Sequence, residues 1–309
     1  MIDISYVVTV YNKANYMAPM LNALERQEGD FSREYIFVDD GSTDDSVNII
    51  RERTKDWPNV RIIEQENAGI SVATNTGGFA AQGEFIKIVD ADDAMTNYAS
   101  RRMLEMMRTH NLDHLSARWV LSDDVEGDAL KESDDGGQVD IIDDPLRTFM
   151  TRGMAGSTST MIRTRTFQEM GGADPEVFVQ DVSIPLRVAA RGRMGTTDLL
   201  AVIGPRDVEG RMMGAHPTMV YTMSANMYHF LRDNPDVPID LQRLAFKRCA
   251  GRAWKWAKRE QRKSWLSRDF YLYLLSYLPV WQKTAGLIGQ TLHTWDDEPI
   301  RHPPHQQRG

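Results

Sequence analysis

The chain has 309 residues, 41% hydrophobic and 26% charged, which excludes a disordered, collagen-like or coiled-coil chain and leaves room for one large α/β domain with an appendage. Its single cysteine, Cys249, excludes a disulfide framework and a cysteine-based zinc site, and indicates a reducing, cytoplasmic address. The formal net charge of −8 means that the chain as a whole is no generic polyanion binder.

In chain order, strand and helix patterns alternate first. Ile4–Val10 is a continuous apolar, β-branched run, as expected for a strand buried on both faces. Met17, Met20, Leu21 and Leu24 then fall at helical spacing. A second strand is expected at Tyr35–Val38, followed by a helix through Val47, Ile49 and Ile50 that Ser42 or Thr43 can cap. Val60–Ile63, Glu84–Val89 and His114–Leu121 read as further strands, with helices over Ser71–Ala81 and Tyr98–Thr109. Such alternation implies right-handed crossovers and a mainly parallel sheet. Ligands bind such sheets at the carboxyl ends of the strands. The residues just past those ends are Tyr11-Asn12, Asp39-Asp40-Gly41-Ser42, Glu66-Asn67-Ala68-Gly69 and Asp90-Ala91-Asp92-Asp93. All of them should face one crevice.

The pattern then breaks. Asp123–Asp144 holds ten acidic residues and one lysine without sustained periodicity, and reads as an exposed loop or hairpin insertion. A helix near Leu146–Arg152, a strand at Gly156–Ile162, a turn at Gly171-Gly172 and a helix over Val182–Arg191 follow. Beyond about residue 218 the pattern is mostly helical. Arg243–Arg268 carries ten basic residues and one glutamate, and Trp254, Trp256, Trp265, Trp281 and Trp295 fall in the same region. The Pro-, His- and Gln-rich tail Pro299–Gly309 is expected to be disordered. No export signal is visible at the N-terminus, and no run approaches the ~20 apolar residues that span a bilayer.

The acidic strand ends carry the chemistry. Asp90, Asp92 and Asp93 repel one another unless something neutralises them. A hard divalent cation is a natural partner; a solvated turn with a helix cap is the blander reading. The apolar strand before the turn and a second acidic cluster at another strand end favour the cation. Asp39–Asp44 is a strand-to-helix turn in which Gly41 supplies backbone freedom. It places Asp39 where a carboxylate can accept the N–H of a nucleobase.

Thr9-Val10-Tyr11-Asn12, Val38-Asp39-Asp40-Gly41-Ser42-Thr43-Asp44, Asn67-Ala68-Gly69 and Val89-Asp90-Ala91-Asp92-Asp93, in this order and spacing, resemble the family 2 glycosyltransferases with a GT-A fold. The resemblance continues at Gly171-Gly172-Ala173-Asp174 and Gln180-Asp181 and covers roughly residues 1–215. It implies an α/β fold with a Rossmann-like, mixed, mainly parallel sheet flanked by helices. It also implies a metal-dependent, inverting transfer of a sugar from a nucleotide-diphosphate sugar, a UDP-sugar first among them, to a hydroxyl acceptor. The expected setting is surface polysaccharide or glycolipid synthesis.

By the same resemblance Thr9, Tyr11 and Asp39 line the base pocket, and Asn12, Asp40, Asn67 and Gly69 belong to the donor site. Asp90, Ala91 and Asp92 meet the ribose and the metal–diphosphate, and Asp92 and Asp93 hold Mn²⁺ or Mg²⁺, with His216 a further candidate ligand. Asp181 is the general base. Arg211, in a stretch with Arg206, closes over the diphosphate. Three departures stand out: Thr74 where the family often has Arg, Lys87 inside a strand, and Gln180 in place of Glu. Lys13 or another arginine is left to supply the missing cation. Lys87 is expected at a sheet edge or paired with an acid.

The expected organisation is a catalytic domain at 1–217, comprising a nucleotide-sugar half (1–122), the acidic insertion (123–145) and an acceptor half (146–217). A helical, basic, Trp-rich region (218–298) and the tail (299–309) follow. The basic region has two readings: an interfacial surface through 243–281 on the inner face of the plasma membrane, or a helical appendage packing its aromatic face on the catalytic domain. Expected partners are the nucleotide sugar, a saccharide or lipid-linked acceptor and a second copy of the chain, with no nucleic acid. The rival functions are a sugar-phosphate nucleotidyltransferase, which would normally show a Gly-rich basic loop after the first strand, and a non-catalytic binding protein of the same fold.

Overall fold

The structure, a computed structural model, describes residues 2–131, 134, 136–153, 158–206, 216–279 and 284–304, with His216 by its backbone alone. β1 (Ile4–Val10), β2 (Arg33–Asp39), β3 (Val60–Glu64) and β4 (Phe85–Asp90) alternate with the helices α1 (Met17–Glu25), α2 (Ser46–Thr54) and α3 (Ile70–Ala80). These four strands are mutually parallel in the order β3-β2-β1-β4. Their side chains alternate between two apolar cores, as the two-residue period of a strand requires. Tyr6, Val8 and Val10 face one side with Met17 and Leu21 of α1, while Val7 faces the other with Ile36, Val38 and Ala73 of α3.

The sheet continues beyond β4 as β8 (Thr160–Arg163), β6 (His114–Ser122), β9 (Met194–Pro205) and the two-residue β5 (Ala94–Met95), with β7 (Val139–Ile141) also on β9. β8 runs antiparallel to both β4 and β6. The mixed, mainly parallel sheet flanked by helices is therefore as expected. Helix α4 (Ala99–Thr109) covers one face, burying Met103, Leu104, Met106 and Met107.

Several local expectations need correction. Asp123–Asp144 is not simply a loop: it contains the helix α5 (Val125–Lys131) and the strand β7. Neither is held by its own periodicity; β7 is held by pairing with β9. Lys87 sits in the interior strand β4, between β1 and β8, and is fully buried. Helix α2 starts at Ser46 without a side-chain cap from Ser42 or Thr43. Residues 299–304 have a defined place: Ile300 packs against the Trp256–Trp295 cluster, the Arg301 amide donates to Thr218 Oγ1 at 2.9 Å, and Pro303 is buried. Residues 305–309 lie outside the described residues.

Helices α6 (Pro145–Arg152), α7 (Thr164–Glu169) and α8 (Gln180–Ala189) precede a C-terminal helical region of α9 (His216–Asp233), α10 (Ile239–Arg259), α11 (Arg268–Leu275) and α12 (Ala285–Leu292). Met227, Phe230, Phe246 and Ile288 of that region share one apolar core with Val7, Ile86 and Phe167 of the sheet side. Trp254, Trp256 and Trp295 are buried, whereas Trp265 is 60% exposed; Trp281 lies outside the described residues. Among the described residues no helix is long and apolar enough to cross a membrane.

Candidate functional site

Parallel pairing sets the carboxyl ends of β2, β1 and β4 side by side, with Val10 opposite Asp39 and Thr9 opposite Asp90. Register therefore sets Thr9 beside Asp90, with Asp39 one residue further along beside Val10, all three at the carboxyl edge where such sheets bind ligands. The loop after β1 is fastened to the loop after β2. The amides of Asn12, Lys13 and Ala14 donate to Ser42 Oγ, Ser46 Oγ and Asp44 Oδ2, each at 2.9 Å, and the Thr43 amide donates to Asn12 Oδ1 at 2.8 Å. Asn12 takes φ 51° there, a conformation asparagine tolerates. Tyr11 stands beside it, half exposed.

Adjacent carboxylates take different roles. Both oxygens of Asp40 are engaged: Oδ1 accepts from Gln65 Nε2 at 2.7 Å and the Ala68 amide at 2.9 Å, and Oδ2 from the Gly69 amide at 2.9 Å. Asp40 thus shapes the Asn67–Gly69 turn. Gly41, at φ 78°, completes the fit, because a Cβ there would lie 2.9 Å from the Asn67 amide nitrogen. Asp39 is also buried, and its Oδ2 accepts the Ser42 amide at 3.1 Å. Its Oδ1, however, has no hydrogen-bond partner among the described residues. A buried acceptor left so is costly unless a ligand supplies the donor.

At the end of β4 the Asp90 amide donates to Thr158 Oγ1 at 3.1 Å, and Asp92 Oδ2 accepts from Lys13 Nζ at 2.6 Å. Lys13 therefore stands in the crevice as a cation. Ala91 is buried beneath the turn. Asp93 is only 6% exposed and accepts from Trp119 Nε1 at 3.3 Å, so it anchors the turn to β6. Burial, and then the charges of Asp90 and Asp92, hold its carboxyl well above the usual carboxylate range. Behind the turn the Lys87 ammonium donates to the carbonyl oxygen of Thr158. Burial lowers its pKa to about 7 against the opposing pull of Asp90 and Asp93.

The second half of the site is tied to α3. Asn75 Nδ2 donates to the Ala173 carbonyl at 2.9 Å and its Oδ1 accepts the Ala173 amide at 2.7 Å, while Ser71 Oγ donates to the Val177 carbonyl at 3.0 Å. Gly172, at φ 71°, lets Asn75 approach: a Cβ there would be 2.3 Å from Asn75 Oδ1. This positioning role of Asn75 has no signal in the sequence, because its partner lies 98 residues away. The loop leads into α8, whose N-cap is Val179. Asp181 therefore lies in the first helical turn, where the helix dipole favours a carboxylate. Gln180 beside it is buried, and its Oε1 has no partner among the described residues. Arg211 and the side chain of His216 lie outside the described residues.

Sequence reasoning also missed a cluster that joins this loop to the C-terminal region. Asp174, Glu176 and His229 bring ligand-type atoms within 4.8 Å of one another, the one such group among the described residues. His229 Nδ1 lies 2.8 Å from Asp174 Oδ2, and Arg232 meets Glu176 at 2.6 Å. Burial raises the Asp174 carboxyl, but the hydrogen bond and charge of His229 outweigh it and hold it below its ordinary value. Arg232 already answers the Glu176 charge, so the cluster acts as a clamp between α9 and the loop before α8.

The sequence model of the family described as glycosyl transferase family 2 matches residues 5–168, just over half of the chain. Among curated proteins the chain is similar to the uncharacterized glycosyltransferase YibD of Escherichia coli, at 32% identity over 125 residues, 40% of this chain and 36% of that protein. It is also similar to the putative glycosyltransferase EpsH of Bacillus subtilis, at 41% over 90 residues, 29% of this chain and 26% of that protein. The chain thus spans well under two thirds of these curated relatives. Among solved structures it shares its fold with residues 1–349 of S. aureus TarS in complex with UDP-GlcNAc, at TM-score 0.66 and 18% identity over 95% of this chain and 88% of that one. It shares it also with the mannosyltransferase PcManGT of Pyrobaculum calidifontis in complex with GDP-Man and Mn²⁺, at TM-score 0.57 and 17% identity over 96% and 87%. The sheet is that of the GT-A neighbours, and by its sequence the chain belongs to glycosyl transferase family 2.

Proposed function

We propose that the chain transfers a sugar from a nucleotide-diphosphate sugar to a hydroxyl of a saccharide or lipid-linked acceptor, by single displacement with inversion. The observation that carries this reading is the gathering of Thr9, Asp39 and Asp90 at the carboxyl ends of three adjacent strands. At that edge Asp39 Oδ1 is a buried acceptor with no partner among the described residues. One such acceptor suits uracil, which presents a single imide N–H, better than guanine, which presents adjacent donors.

The residues present fit a divalent cation. Asp90 and Asp92 offer hard carboxylate oxygens at the strand end, the donor set that Mg²⁺ and Mn²⁺ take together with phosphate oxygens. Bound there, the ion supplies positive charge to the leaving diphosphate. Lys13, already on Asp92, adds a fixed cation in the same place. Asp93 acts by holding the turn. Asp181 removes the acceptor proton as the hydroxyl attacks the anomeric carbon, and its first-turn position holds the carboxylate in place.

A panel of UDP-, GDP- and dTDP-sugars with Mn²⁺, followed by thermal shift and slow donor hydrolysis, tests the proposal. One nucleotide class should raise the melting temperature and be hydrolysed. Silence across the whole panel would favour the non-catalytic reading.

A further inference from the structure

Helix α10 has two unlike faces. Ala245, Phe246, Cys249 and Ala253 are buried in the core. On the other face Lys247, Arg248, Arg252, Lys255, Lys258 and Arg259 line an open cavity of about 610 Å³, whose remaining wall includes Trp254, Tyr273 and Tyr277. Among the described residues none of the six cations pairs with a carboxylate. Some are instead held in place by neutral groups. Arg248 donates to the carbonyls of Phe149 and Arg152, and Arg252 donates to Ser224 Oγ. Lys247 lies 4.3 Å over the Tyr277 ring, and Lys258 lies 5.0 Å over Trp265. So many like charges around one cavity repel unless anions enter it.

Large apolar side chains are exposed on the segments that wall this cavity, with Tyr277 in its lining and Trp265 beside Lys258 and Trp254. Leu266 is 89% exposed, with Trp265, Tyr271, Tyr277 and Leu278 also exposed. Trp265 packs tilted against Trp254 and edge-on to Phe270, at 5.4 and 4.9 Å between ring centroids, so its exposure is built into the fold. Exposed apolar groups beside concentrated cations are the complement of one surface in particular, the headgroup layer of an anionic bilayer.

We propose that this face seats the chain on an anionic lipid surface, with headgroup phosphates entering the cationic cavity and Trp265, Leu266, Tyr271, Tyr277 and Leu278 at the acyl boundary. It docks from outside, without a spanning helix. The inference stands apart from the donor-site reading, because none of these residues belongs to the crevice.

Flotation of the full chain with vesicles tests it. Vesicles of phosphatidylcholine containing ~30 mol% phosphatidylglycerol should carry the chain at low salt, whereas pure phosphatidylcholine vesicles should not, and high salt should release it. Combining Lys247→Gln, Lys255→Gln and Lys258→Gln should weaken partitioning about a hundredfold, at about fivefold per cation. Leu266→Gln, a second and independent variant on an exposed side chain, should weaken it without adding or removing any charge. Both variants should keep the thermal shift given by donor, which separates this inference from the donor-site reading. Equal flotation with neutral vesicles, equal flotation of both variants, or binding of soluble polyphosphate or single-stranded DNA without binding of vesicles would overturn it.

Discussion

The two most charged stretches of the chain behave in opposite ways. The acidic stretch Asp123–Asp144 pairs much of its charge with basic groups of the same chain. Glu126 meets Arg26 at 2.8 Å, Asp134 meets Arg101 at 2.6 Å, Asp123 meets Arg206 at 3.2 Å, and Asp144 accepts the Arg147 amide at the start of α6. The basic stretch does not: Lys263 reaches Asp269 at 3.2 Å, but the six cations around the α10 cavity have no carboxylate partner among the described residues. Formal charge in sequence is thus a poor guide to function. What marks a functional surface is polar capacity the fold leaves unsatisfied. By that standard Asp39 and the α10 face stand out, and the acidic insertion does not.

The largest break in this contrast should come at the crevice. Asp181→Ala should lower glycosyl transfer ~10²–10⁴-fold, the loss expected for a sole general base, with an unchanged melting temperature. Full activity would remove Asp181 from the chemistry. Next in size is the about hundredfold loss of vesicle partitioning described above. Asp40→Ala sharpens the comparison between neighbouring carboxylates. It leaves Gln65 Nε2 and the amides of Ala68 and Gly69 without their acceptor, and should cost about 2–3 kcal/mol in denaturant unfolding. A loss of donor affinity with stability intact would instead put Asp40 on the ligand.

His114 predicts a pH effect. Its ring is fully buried with neither nitrogen partnered among the described residues, and burial lowers its pKa from 6.5 to about 4. Between those values the unfolded chain binds a proton that the folded chain does not, so stability falls as the pH falls through that window. His114→Leu should flatten the decline in melting temperature between pH 6.5 and about 4. A parallel decline in both proteins would show that other groups dominate. The smallest effect belongs to the insertion: Glu126→Gln removes a half-exposed pair with Arg26 and should cost no more than ~1 kcal/mol.

Elements that carry their own signal were legible in the sequence. The apolar run Ile4–Val10 predicts a strand, and β1 has those bounds. His114–Leu121 and Tyr98–Thr109 each come within one residue of β6 and α4. Elements defined by distant partners were not. β9 gains its identity from pairing with β5, β6 and β7, with a shifted register against β6, and its sequence shows no clean alternation. Lys87 looks wrong for an interior strand until the Thr158 carbonyl receives its ammonium. At the strand ends, local motifs drew attention to Asp39 and Asp90–Asp93, but not to the division between Asp40, whose oxygens hold the Asn67–Gly69 turn, and Asp39, whose Oδ1 has no partner among the described residues. That division depends on which backbone amides the Asn67–Gly69 turn presents. Asn75 and the Asp174–His229 contact were invisible for the same reason.

The central claim, that the strand-end crevice reads a nucleotide through Asp39, is tested most directly by calorimetric titration with UDP and with UDP methylated on the imide nitrogen of its base. The native chain should bind UDP about ten- to a hundredfold more tightly, as expected for one hydrogen bond to a buried charge, and Asp39→Ala should erase the difference. Equal affinity of the native chain for both ligands, or no binding of either, would contradict the account.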